Sequence, residues 1–141
     1  MNDSNLLSRA LHANALYSTL TGATMAIGAA ALDDWSGVPA WLLVAIGIGL
    51  IGFAASLVFG ARRSNLIVDT GRTAVAGDIG WIVGAIVIIA ATSWLTTAGE
   101  VTLAIISVPV AVFAAAQWQG LSNLTASDTN AARPTDAVTS G

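Results

Sequence analysis

Four long runs of this sequence are too apolar to fold around a water-exposed surface. They cover residues 13–32, 38–59, 79–95 and 101–118. A helix of about 20 apolar residues crosses a bilayer, and unpaired backbone groups are not tolerated in lipid, so each run reads as a transmembrane helix. The expected fold is therefore all-α: a four-helix transmembrane bundle over residues 1–124, arranged as two tandem helical hairpins. Residues 125–141 are rich in Ala, Thr, Ser, Asp and Asn and read as a disordered tail. Charged residues make up only 9% of the chain, against about 25% in soluble domains. Lipid must cover what charge does not.

The five arginines orient the runs. Arg9 precedes the first, Arg62, Arg63 and Arg72 lie between the second and third, and Arg133 follows the fourth. The other two connections carry Asp33, Asp34 and Glu100 and no base. With four spans, all five bases fall on one side, which the positive-inside rule makes cytoplasmic. A wrong span count would scatter them. The expectation is a multi-pass protein of the cytoplasmic (inner) membrane, with N and C termini cytoplasmic. The five tryptophans, Trp35, Trp41, Trp81, Trp94 and Trp118, fall near run ends, as headgroup anchors do. A cleaved signal peptide ending at Ala29-Ala30-Ala31 is the rival reading of the first run. Its single leading base and its threonine- and serine-diluted core favour a span instead.

Several chemistries are excluded by residue type. Cysteine is absent and His12 is the sole histidine, which removes thiol redox, thiolate metal sites and bis-histidine haem within one chain. There is no basic stripe, so nucleic acid is not an expected partner. Gly47-Ile48-Gly49-Leu50-Ile51-Gly52 matches G-x-G-x-x-G but lies inside an apolar run, where no strand-to-helix turn can cradle a phosphate. No cofactor is expected. The partners expected are the lipid bilayer and either further copies of the chain or another membrane protein.

A short internal repeat, offset by 64 residues, relates Asn14 and Tyr17 to Asp78 and Trp81. Arg9 and Arg72 precede the two copies. Asp78 is the most informative ionisable residue, placed by the apolar run at the cytoplasmic boundary of the third span. As a functional group it would hold a proton or cation. As a structural one it would start a helix, satisfied by Arg72, Arg9 or Asn14. His12 and Tyr17 fall at the same boundary, completing a candidate polar cluster. Helices in lipid associate through small residues. Ala45, Gly49, Gly52, Ser56 and Gly60 form one stripe, and Gly80 and Gly84 another, so Gly49, Gly52, Gly80 and Gly84 are the expected packing positions. Gly80-xxx-Gly84 is also the candidate homodimer contact. Pro109 should kink the fourth helix.

The segment Leu6-Leu7-x-Arg9-Ala10-Leu11-x-Ala13-Asn14-Ala15-x-x-Ser18-x-x-Thr21-Gly22 resembles a group of small, uncharacterised bacterial four-helix membrane proteins. Asp78-x-x-Trp81 and Gln119-Gly120-Leu121 extend the likeness over residues 6–121. The resemblance implies the topology and no catalytic residue. In size and span count the chain is also similar to DoxX-like proteins. The small multidrug transporters share four spans but use an acid deep in the first helix, where this chain has Asn14. The leading functional expectation is a non-enzymatic membrane component or accessory subunit. A small transporter or proton-coupled exchanger using Asp78 is the second, and an enzyme of a lipid-soluble substrate the third.

Overall fold

The computed structural model describes residues 3–63 and 65–131. They form five α-helices: α1 (Asp3–Ile27), α2 (Ala29–Ser36), α3 (Ala40–Ala61), α4 (Ile67–Ala91) and α5 (Thr97–Ala131). No strand occurs among the described residues. α3, α4 and α5 are each long and apolar enough to cross a membrane, and α1 with α2 makes a fourth when the bent pair is counted as one span. Only 22% of the most apolar stretch of α3 or α4, and 11% of that of α5, is buried within the chain. Ile48, Phe59, Ile86, Ile105 and Val112 are among the large apolar side chains facing outward. Such a continuous apolar surface needs lipid or protein to cover it.

The first run differs from expectation. It is not one straight span over 13–32: helix begins at Asp3 and turns by 86° at Gly28. The hydropathy of the run hid both features, because α1 starts among polar residues and α2 continues the apolar composition past the turn. α2 ends at Gly37, whose φ of +78° closes the helix through its N–H to the Asp33 carbonyl at 2.8 Å. The Asp33 carboxylate then accepts the Ala40 N–H at 2.9 Å, capping the first turn of α3 after Pro39. At the other far connection, the Thr96 hydroxyl accepts the Gly99 N–H and caps α5. α5 also runs on to Ala131, through the first residues of the expected tail. The rest of that tail lies outside the described residues.

α1 packs most extensively on α3 and next on α5, and α4 packs chiefly on α5. Leu7 meets Gly71 and Leu121 at the end where the chain starts, which we call the base. Ser36 meets Thr96 and Gly99 at the far end. Successive long helices therefore alternate in direction, with α1 and α4 on a diagonal. The core lies toward the base: Leu7, Leu11, Ala15, Ala54, Leu57, Ala74, Val75 and Leu121 form one buried cluster.

The packing glycines are not those expected. A Cβ added at Gly49, Gly52, Gly80 or Gly84 would meet nothing within 4 Å. The α1–α3 crossing is made instead by Gly22 and Gly47, where an added Cβ would stand 2.6 and 2.5 Å from the partner's carbonyl oxygen. Residues two apart point to opposite sides of a helix, at about 100° per residue. Gly47 faces α1, so Gly49 faces out.

Candidate functional site

α4 begins at Ile67, well before the apolar run does, because its first turns are polar yet helical. Asp78 is therefore in mid-helix and does not start the helix. It lies about 16 Å along the helix from Ile67 and about 20 Å from Ala91, at 1.5 Å per residue. It is buried, with 3% of its surface exposed.

One side chain meets it directly. Asn14, at mid-length in α1 and equally buried, places Nδ2 3.0 Å from Oδ1 and 2.8 Å from Oδ2 of Asp78. The Asn14 Oδ1 accepts the Ser18 hydroxyl at 3.1 Å, which fixes which way the amide points. The two equivalent positions of the internal repeat thus form a hydrogen bond across the diagonal of the fold.

The two aromatic positions of the repeat also behave alike. Tyr17 donates its hydroxyl to the Ile106 carbonyl at 2.7 Å, and Trp81 donates Nε1 to the Ser107 hydroxyl at 3.2 Å. Both anchor on adjacent residues of α5. Pro109 supplies no N–H to the Ile105 carbonyl, so this stretch of α5 is held by α1 and α4 as well as by its own ladder. Trp81 is half-buried and hydrogen-bonded within the fold, whereas Trp35, Trp41, Trp94 and Trp118 are exposed.

The other members of the expected cluster lie apart. Arg9 is exposed. Arg72 is exposed and pairs at 3.8 Å with Asp69, one turn before it. His12 is exposed and donates Nδ1 to the Ser8 carbonyl at 2.7 Å. All three lie on the outer surface near the base, separated from Asp78 by the leucine cluster.

Gln117 was not expected in the site. It is fully buried on α5, close enough to interact with Asp78, although neither polar atom of its amide has a hydrogen-bond partner within 3.5 Å. An amide can offer N–H to a carboxylate or C=O to a carboxyl proton, so Gln117 can serve Asp78 in either protonation state. It sits within an apolar run with no partner visible in sequence, and only its face relative to Gly120 and Leu121, both buried, would have marked it as inward.

A cavity of about 110 Å³ opens beside the Asp78 carboxylate, between Tyr17, Ser18, Phe53, Trp81 and Ile106. Toward the far end it shares Tyr17, Thr21 and Ile106 with a larger apolar cavity of about 360 Å³. Toward the base it is bounded by Phe53, which packs against the leucine cluster. The acid thus stands at the junction between a dense half and a hollow half.

The chain matches no protein-family model, no curated protein and no solved structure.

Proposed function

We propose that this is a four-span, four-helix bundle protein of the cytoplasmic membrane, both termini cytoplasmic, which couples protonation of Asp78 to the movement of a small solute. The observation that supports the reading is a buried acid in mid-helix, facing a cavity and held by one neutral side chain. Burying an aspartate in the hydrocarbon is costly, up to about 2.5–3.5 kcal/mol at the membrane centre on insertion scales. Interhelical hydrogen bonds in membranes average about 0.6 kcal/mol each, so the two approaches of Asn14 recover less than half of that. A carboxylate kept at net cost in such a place is a functional residue by default. Asn14 and Gln117 supply the groups that let its proton come and go, the first by bonding the ionised form and the second by turning its amide.

Proteoliposomes under an imposed pH gradient test this. A panel of small solutes is offered to the wild type and to Asp78→Asn. Movement of at least one solute in the wild type and its loss in the variant is the expected result. Equal rates in the two proteins, or no movement in either, would overturn it.

A second reading, as a non-enzymatic accessory subunit, draws on a different observation. Ala45, Gly49, Gly52 and Ser56 are exposed on an outward face of α3, where a Cβ added at Gly49 or Gly52 would meet nothing. Small residues are what helix–helix contacts in lipid use, so this face suits a membrane-protein partner or a second copy. Crosslinking from cysteines introduced at Gly49 and Ser56, in native membranes, would reveal the neighbour.

A further inference from the structure

Of the neighbouring long helices, α3 and α4 make the least contact. They touch closely near the base, where Gly60 abuts Thr70. Farther along they part around a cleft of about 270 Å³. Gly80, Gly84 and Ala85 form its α4 wall, Leu42 and Ile46 its α3 wall, and Trp81 separates it from the cavity at Asp78. Gly80 is exposed at the surface, and neither Gly80 nor Gly84 has any atom that an added Cβ would meet. The exposed Gly80 stands at the outer edge of the cleft, while Ile79, Val83 and Ile86 point outward from the other side of α4. The cleft therefore opens sideways, toward the surface that lipid covers.

We infer that this cleft admits an amphipathic organic cation from the bilayer, its apolar body lying along Gly80 and Gly84 and its charged head reaching Asp78 past Trp81. The inference rests on the proposed role of Asp78 and names the class of solute. Three observations bear on the charge and shape of the occupant. The acid has no basic partner among the described residues, since the one ion pair there joins Arg72 to Asp69. The cavity at the acid is walled by Tyr17, Phe53 and Trp81, and aromatic faces attract a cation within about 6 Å, tryptophan most strongly. The approach is lined almost wholly by apolar side chains and bare glycine backbone, which selects against small hydrated ions and strongly polar solutes.

The full-length protein in non-ionic detergent is tested with radiolabelled tetraphenylphosphonium by scintillation proximity. The wild type is expected to bind saturably, with displacement by decyltrimethylammonium and not by decanol. Asp78→Asn should weaken binding by about tenfold or more, as loss of a buried charge partner does. Gly84→Leu should weaken it similarly by filling the cleft, with an unchanged melting temperature because the space is empty. Gly49→Leu, on the outward face of α3, should bind as the wild type does. Binding that survives both Asp78→Asn and Gly84→Leu, or that decanol displaces equally, would overturn the inference. If the wild type binds no cation while flux of a polar solute still depends on Asp78, the substrate class falls and the coupling role stands. If both signals are missing, both fall.

Discussion

α3 meets two neighbours in opposite ways. Against α1 it closes along its length, with Gly22 and Gly47 bringing the two backbones together. Against α4 it closes only near the base and then parts, leaving Gly80 and Gly84 beside empty space. The same residue type thus serves two ends. At the first seam the missing side chain allows contact, and at the second it keeps a passage clear. The α1–α3 seam is the stable frame, and the α3–α4 seam is where a ligand can enter.

The contrast can be broken by filling each seam in turn. Gly47→Leu should have the largest effect, since the added side chain would enter the α1 backbone and the two helices must separate. Little or no monodisperse protein is expected on size exclusion. A folded, wild-type-like Gly47→Leu protein would mean the seam is not the frame. Leu57→Ala comes next. Leu57 is fully buried in the base cluster, and such truncations cost about 2–5 kcal/mol in well-packed cores. Leu103→Ala, on the cavity walls, should cost clearly less, and equal shifts in melting temperature would erase the distinction between dense and hollow halves. Asn14→Ala removes the one direct partner of Asp78 and should cost about 1–3 kcal/mol, the penalty for a buried acceptor left unpaired. Restoring stability by adding Asp78→Asn would show that the loss lies in the unpaired acid and not in packing. The smallest effect is expected for Gly84→Leu, within about 0.5 kcal/mol as for changes that touch nothing, measured by thermal melting in detergent.

The sequence made the helical class legible because apolar length alone demands it. The Asn14–Asp78 pairing was also within reach, since the 64-residue repeat puts the two residues at corresponding places in adjacent hairpins. The mid-helix place of Asp78 was not. Asp69 and Arg72 lower the hydropathy of the first turns of α4, so hydropathy alone does not show that the helix begins at Ile67. The facing of α3 was missed for a related reason. The evident stripe of small residues suggested an inward face, but the inward face is Leu43, Gly47, Ala54, Leu57 and Gly60, a mixture of large and small. Glycine spacing alone cannot choose between two sides of one helix when both carry glycines. Gln117 was hidden by its apolar neighbours, because a buried amide has no pattern of its own until the helix is turned to face its partner.

The two far-end connections are tied to each other. The Thr96 N–H donates to the Ser36 carbonyl at 3.0 Å, and its hydroxyl donates to the Trp35 carbonyl at 2.7 Å. The covalent turn between α3 and α4 holds the opposite end. The gap between these helices is therefore a buttonhole, stitched at both tips. It cannot swing apart like a door, and whatever passes through must do so by bowing one edge in the middle, where Gly80 and Gly84 have left the cloth thinnest.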